Sequence, residues 1–363
     1  MAEKPKYLQV ADSLRREIVE GSFRDGDTLC TEEILRMRFQ VSRQTIRQAI
    51  ALLEDDGLVE RRRGSGTYVR HGPRRRQGLP RICVLTGYIT DYISPEIISG
   101  IERVISERGA VMTLSATRND PAVERALLER MMEGQIDGLI AEGCRTGEKT
   151  PNADCYRRFA ERNIPVVFLN GYYRELPSIP RVAMDDFGGG RQAAQELLRR
   201  GYRRPAAMFK ADDLQGQERE RGFRQMLQEQ GIPLAEENVL HFGTEDRMNL
   251  FAEDRVIRFL DHLAAGGADS LVCYNDVFAF FAMEGLRERG VRIPEEIGVI
   301  GFDNAMFSQV SQPPLTTLSH PKERFGALAA EKLIQMMDGR RVESEEMPWA
   351  LVERQSLRGA EEA

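Results

Sequence analysis

The sequence predicts an α/β protein in two parts. A small module of three helices closed by a two-stranded wing occupies residues 1–70, and a body of two α/β lobes occupies 81–358. Three observations carry this. Charge divides the chain: residues 1–76 hold 16 Lys+Arg against 12 Asp+Glu, and the remainder holds 35 against 45. The apolar period changes at the same place, from helical spacing in front to strand–helix alternation behind. Between them, His71-Gly72-Pro73-Arg74-Arg75-Arg76-Gln77-Gly78-Leu79-Pro80 has no apolar period, so 71–80 is expected to be a tether.

Composition narrows the class further. A chain of 363 residues is too long for one core, and 41% hydrophobic with 30% charged residues is an ordinary soluble composition. No apolar run approaches the roughly 18 residues a membrane helix needs. Met1-Ala2-Glu3-Lys4-Pro5-Lys6 has no apolar stretch behind its charges, so no secretory signal is expected. Five cysteines and four histidines are scattered without C-x-x-C or H-x-x-x-H spacing, which excludes a zinc ribbon and fits a reduced, cytoplasmic chain with no metal or other cofactor. A basic module on an acidic body implies an anionic partner for the module alone.

In the module, Tyr7, Ala11, Leu14 and Ile18 recur at i, i+4, i+7 and i+11, the stripe of an amphipathic helix, which Gly21 and Arg24-Asp25-Gly26-Asp27 end. A short helix is expected over 31–39, with Thr31 as N-cap and Glu32 and Glu33 in the first turn, where carboxylates suit the helix dipole. Ser42 then caps a third helix whose buried face is Ile46, Ala49, Ile50 and Leu53. Arg43, Gln44 and Arg47 fall away from that face at the N-terminal end. In a helix-turn-helix this end enters the major groove, where Arg pairs bidentately with guanine and Gln with adenine. Two β-prone stretches over 58–69 flank Gly64-Ser65-Gly66 and read as a wing, whose arginines 61–63 suit phosphates or the minor groove.

This stretch resembles the GntR-family winged-helix DNA-binding domain in Val41-Ser42-Arg43-Gln44-Thr45-Ile46-Arg47-Gln48-Ala49, Gly57-Leu58-Val59 and Gly64-Ser65-Gly66-Thr67. Cys30-Thr31-Glu32 departs from the family's Pro-Ser-Glu, a change expected to affect the helix start and not DNA binding. The resemblance implies double-stranded operator DNA as partner. It places contacts at Glu32, Ser42, Arg43, Gln44, Thr45 and Arg47, and at Arg63 and Gly64 on the wing.

From Arg81 strands and helices alternate. Strands are expected at 82–85, 111–116, 138–140, 166–169, 182–184, 206–209, 271–273 and 299–302. Helices are expected at 124–132, 192–200, 219–230 and 278–289, with a further one capped by Ser94 and carrying Ile97, Ile101, Val104 and Ile105. Ligands of such sheets bind beyond the carboxyl ends of the strands. There the chain places Tyr92, Glu142, Asn170, Tyr172, Lys210, Asn275, Asp276 and Asp303, a set of amides, carboxylates and one lysine suited to a polyhydroxylated ligand, with tyrosine rings to stack on its C–H face.

The body resembles the effector domain of LacI/GalR-type repressors, the periplasmic-binding-protein-like fold, most specifically in Ile293-Pro294-Glu295-Glu296-Ile297-Gly298-Val299-Ile300-Gly301-Phe302-Asp303. The resemblance implies a small sugar effector, with Asn170, Arg219, Asn275, Asp303 and His320 at the sugar-contacting places. It also implies a homodimer that leaves its operator when sugar binds. The joining of these two modules is similar to that in arabinose-responsive repressors of Gram-positive bacteria, which implies L-arabinose.

Other functions fit less well. Gly188-Gly189-Gly190 lacks the spacing of a phosphate loop, and His320 has no partner spaced for a metal. Asp276 with Asp303 could serve a sugar-processing enzyme as acid and base, but ground-state sugar binding explains the same acids, so no catalytic residue is expected. Another sugar, or a nucleoside, remains the rival effector. The sole tryptophan, Trp349, has no role assigned by the sequence.

Overall fold

The computed structural model describes residues 5–19, 21–62, 65–69, 79–246 and 249–359. The expected wing contacts Arg63 and Gly64, and residues 71–78 of the expected tether, lie outside the described residues.

The module folds as α1 (Lys6–Val19), α2 (Glu32–Phe39), α3 (Arg43–Asp55), β1 (Val59–Arg62) and β2 (Gly66–Val69). Val10, Ala11, Leu14 and Ile18 of α1 pack on Ile46, Ala49, Ile50 and Leu53 of α3, and Leu58, Val59 and Val69 close the core under the wing. Both expected caps form: the Thr31 hydroxyl accepts from Ile34 N–H at 3.3 Å, and the Ser42 hydroxyl accepts from Thr45 N–H at 3.1 Å. β1 and β2 pair antiparallel, with Val59 opposite Val69.

The N-terminal lobe contains β3 (Arg81–Thr86), α4 (Ser94–Glu107), β4 (Val111–Ala116), α5 (Pro121–Glu133), β5 (Gly138–Ala141), α6 (Ala153–Glu161), β6 (Val166–Leu169) and β7 (Arg181–Met184). The chain then crosses into the C-terminal lobe. That lobe contains α7 (Asp186–Arg199), β8 (Pro205–Lys210), α8 (Leu214–Glu229), β9 (Val239–Phe242), α9 (Asp254–His262), β10 (Ser270–Cys273), α10 (Asp276–Glu288), β11 (Gly298–Phe302), α11 (Met306–Val310) and β12 (Thr316–Ser319). It returns to the first lobe for α12 (Lys322–Met337) and β13 (Glu345–Met347), then crosses a third time into β14 (Ala350–Val352). The sheets run β13-β7-β6-β5-β3-β4 and β14-β12-β11-β10-β8-β9, parallel throughout except for β14.

All eight strands expected in the body form. Ser94 does not cap α4: it is the first residue of the helix, Ile93 occupies the cap without a side-chain bond, and Pro95 follows at a position where a missing N–H costs nothing. The inner strand β12 and the edge strands β9, β13 and β14 were not expected. They are three or four residues long, and β13 reads Glu-Glu-Met, so neither length nor apolar alternation announces them.

Each lobe is fastened by a pair of helices meeting at glycines. A Cβ on Gly100 of α4 would lie 1.9 Å from the Glu323 carbonyl oxygen, and one on Gly326 of α12 would lie 2.0 Å from that of Ile97. In the other lobe, Gly190 of α7 meets the Arg219 carbonyl and Gly222 of α8 meets that of Phe187, each at 2.0 Å from the added carbon. We expect Gly190→Ala to destabilise the protein. Its gain in helix propensity is about 1 kcal/mol, while pressing a methyl to 2.0 Å from a backbone oxygen costs about 2–3 kcal/mol, the upper part of the overpacking range. Chemical denaturation should show a net loss of roughly 1–2 kcal/mol, and an unchanged midpoint would mean the helices separate freely.

Candidate functional site

The exposed end of α3 is organised by one carboxylate. Glu32 accepts from Arg43 Nε at 2.9 Å and from Arg47 Nε at 3.1 Å. These hydrogen bonds, that of Arg43 foremost, hold the Glu32 carboxyl below its usual range. Both guanidiniums remain open to solvent, at 67% and 52% exposure. Glu32 therefore sets two arginines side by side, one turn apart, on the face that a groove would meet. Gln44 is exposed between them and Thr45 is half-buried. Ser42 is occupied as the cap, and its hydroxyl also lies 2.8 Å from that of Thr45. The wing is tied to this surface by Arg61, whose guanidinium donates to the Arg47 carbonyl at 3.5 Å, while the Arg62 guanidinium lies 4.6 Å from the centre of the Tyr68 ring.

In the body, the carboxyl ends of the two sheets face each other. Tyr92 from the first lobe donates its hydroxyl to Asp303 from the second. Burial, reinforced by Asp303, raises the Tyr92 hydroxyl well above its ordinary range and keeps it a donor. Asp303 sits beyond β11 with φ +98, a conformation costly for a residue with a Cβ and found mostly where a site requires it. His320, just beyond β12, places Nε2 3.8 Å from the Asp303 carboxylate. Asn170, also at positive φ, donates to Glu142 at 2.8 Å, and the same carboxylate accepts from Thr86 and from Gly87 N–H.

Arg219 is the centre of the second lobe's contribution. It is 5% exposed, donates from Nε to Asp186 at 2.8 Å and from Nη1 to the Tyr274 carbonyl at 2.6 Å, and its guanidinium is flanked by Phe302 and Trp349 at 4.4 and 4.9 Å. Burial pushes the Asp186 carboxyl upward, against the pull of Arg219. Lys210 is held by Asp212 and Asp213, and Tyr274 donates to Asp213 at 2.6 Å. Tyr172, with the Arg181 guanidinium over its ring, joins Asn170 and Asp186 in lining a cavity of about 340 Å³ between the lobes.

Asp276 is a correction to the expected cleft set. It is wholly buried, accepting from Ala305 N–H at 2.8 Å and from the Thr317 hydroxyl at 2.6 Å, so it fastens the loop after β11 instead of facing a ligand. Asn275 is partly committed: its Oδ1 caps α10 by accepting from Phe278 N–H at 3.0 Å. Two residues were missed. Asp186 follows β7 and answers to the same strand-end rule as the others, but was not singled out. Trp349 follows β13, which the sequence does not announce, and packs at 5.2 Å against both Phe302 and His320.

Burial lowers His320 to about 4; Asp303 opposes this, while Lys322 and Arg219 add to it. The folded protein thus refuses a proton that the unfolded chain accepts near pH 6.5. His320 weighs nothing against stability above that pH and progressively more as pH falls toward 4. Relative to a His320→Gln variant, the parent should lose about 2 kcal/mol of stability between pH 7 and pH 5, measured by urea denaturation at each pH. Parallel curves for the two proteins would place the imidazole in water.

Comparison with known proteins agrees with this architecture. Residues 6–69 match bacterial regulatory proteins of the gntR family, and residues 194–357 match the periplasmic binding protein-like domain. The chain is 38% identical to the arabinose metabolism transcriptional repressor of Geobacillus stearothermophilus over 94% of each chain. It is 33% identical to that of Halalkalibacterium halodurans, over 93% of this chain and 90% of that one. Among solved structures it is similar to a periplasmic binding protein/LacI transcriptional regulator from Alkaliphilus metalliredigens complexed with D-xylulofuranose, with TM-score 0.67 and 26% identity over 77% of this chain and 99% of that one. The chain belongs to the family of arabinose metabolism transcriptional repressors and is a sugar-responsive DNA-binding repressor made of a GntR-type module and a periplasmic-binding-protein-like body.

Proposed function

We propose that this repressor acts in the cytoplasm as a homodimer, takes L-arabinose between its lobes, and leaves the operators of carbohydrate-utilisation genes when it does so. The observation that carries the sugar site is the meeting of Tyr92, Asp303, His320 and Arg219 from both lobes at the carboxyl ends of parallel strands. A sugar bridging them fixes the angle between the lobes, and the module ahead of the body then no longer holds half-site spacing. The acid–base pair that an enzyme would need is compromised, since both Asp276 oxygens are committed to structural hydrogen bonds. A different sugar or a nucleoside offers similar hydroxyls and is the second reading.

For the dimer, the fitting face is that of α10 and α11. Phe281, Met306 and Val310 are 45%, 74% and 58% exposed, and Phe280 links the two helices through ring contacts with Phe281 and Phe307. A second copy of the chain is the occupant that pairs two modules on one operator. Met306→Glu combined with Val310→Glu should sediment as a monomer and bind operator at least about tenfold more weakly; a dimer that persists would move the interface elsewhere.

Arg43→Ala and Arg47→Ala should each cost about 1–3 kcal/mol in discrimination of operator from scrambled DNA, read by fluorescence anisotropy. Unchanged discrimination in both would remove α3 from base readout.

The mechanism itself is tested by linkage. Operator DNA must weaken L-arabinose binding by the same factor by which the sugar weakens operator binding. Calorimetry should show this reciprocity in the parent, and Asp303→Ala should bind operator normally yet ignore the sugar. Equal sugar affinity for free and DNA-bound protein would overturn induction.

A further inference from the structure

The lobes meet not only around the sugar site but also at a second place, where the loop after β5 rests on the start of α8. Leu214, the first residue of α8, donates its N–H to the Thr146 hydroxyl of the opposite lobe at 3.0 Å, and that hydroxyl lies 3.4 Å from Gln215 Oε1. Thr146 is 5% exposed and Leu214 2%. Two further first-turn donors are served from within the lobe: Asp213 accepts from Gly216 N–H at 2.7 Å on its side chain and from Gln217 N–H at 3.2 Å on its carbonyl. One helix end is thus capped jointly by two lobes.

Gly147 makes the approach possible. Its N–H donates to the Asp212 carbonyl at 3.2 Å and its carbonyl accepts from Gln217 Nε2 at 3.1 Å. A Cβ there would lie 2.6 Å from Gln217 Nε2 and 3.0 Å from the backbone of Asp212 and Asp213. The gap between lobes is closed to a backbone-on-backbone fit at this point.

We propose that Thr146 and Gly147 are positioning residues that couple lobe closure to α8, and through α8 to Arg219. In the closed arrangement Thr146 completes the helix cap. When the lobes part, Leu214 N–H loses that acceptor, and the first turn of the helix carrying Arg219 loosens. Closure and the order of the sugar-binding arginine are therefore one event. This rests on the sugar reading for its consequence but not for its geometry.

The experiment uses the full chain with Thr146→Val, Thr146→Ser and Gly147→Val. Without sugar, backbone hydrogen exchange over 212–217 should speed by roughly three- to tenfold in Thr146→Val, the worth of one hydrogen bond. It should return to the parental rate in Thr146→Ser, which keeps the hydroxyl. With L-arabinose, affinity should fall by a similar factor in Thr146→Val and return in Thr146→Ser, and fluorescence of the sole tryptophan at the hinge should report reduced closure in Gly147→Val. Exchange at parental rates in Thr146→Val, or equal acceleration in Thr146→Ser, overturns the clasp. A parent that binds no arabinose while exchange follows the expected order overturns the effector and leaves the clasp standing. If Gly147→Val does not fold, the threonine pair decides alone.

Discussion

A guanidinium cannot be buried alone, and the interior of this repressor is arranged around the burial of Arg219. Stripping such a cation of water costs several kcal/mol, and the structure offsets this with Asp186 on the neighbouring helix, the Tyr274 carbonyl and three aromatic faces. Each partner has its own requirement. Asp186 must begin α7 directly after the first crossing between lobes, and Trp349 must come from the third. The glycines of α7 and α8 bring the two helices close enough for the pair to form at 2.8 Å. A residue expected only to touch a sugar is thus also the tie between two of the three strands of the hinge.

The sequence made the module almost wholly legible because its signals are local. Caps, stripe spacing and the wing's glycines each act within four or five residues, and Thr31, Ser42 and the face of α3 fall where the pattern puts them, while on α1 Val10 joins Ala11, Leu14 and Ile18 in the core and Tyr7 is only half-buried. Eight of the body's strands were legible for the same reason, as runs of three to six residues. What escaped is non-local. Asp276 follows a strand as Asp303 does, yet it turns inward because Thr317 and the Ala305 amide, 29 or more residues away, supply its hydrogen bonds. Trp349 is recruited by an edge strand with no apolar pattern. The strand-end rule finds where a ligand binds but does not tell a carboxylate that faces the ligand from one that holds the loop.

Glu32 shows a related ambiguity. By position it matches a DNA contact, but its carboxylate would repel phosphate if it pointed outward alone. Bound to Arg43 and Arg47 it reduces the local positive charge while fixing the spacing of both guanidiniums. Such an arrangement favours specificity over affinity, since phosphate attraction is indifferent to sequence and base contacts are not. The acidic body works in the same direction, because it adds no non-specific attraction to that of the module.

Charge pairing inside the cleft also selects the kind of effector. Lys210 is held by Asp212 and Asp213, and Arg219 by Asp186, so the buried cations are already matched by at least as many carboxylates. Asp303 stands beside them with a tyrosine hydroxyl and, across 3.8 Å, an imidazole that burial keeps neutral at physiological pH. An anionic ligand such as a sugar phosphate would bring a further negative charge to a site whose cations are committed, and it would pay desolvation with no counter-ion in return. A neutral polyol replaces water hydroxyl for hydroxyl and leaves every ion pair intact. The cleft is therefore better matched to a free sugar than to a phosphorylated one, because its own salt bridges are complete without a ligand.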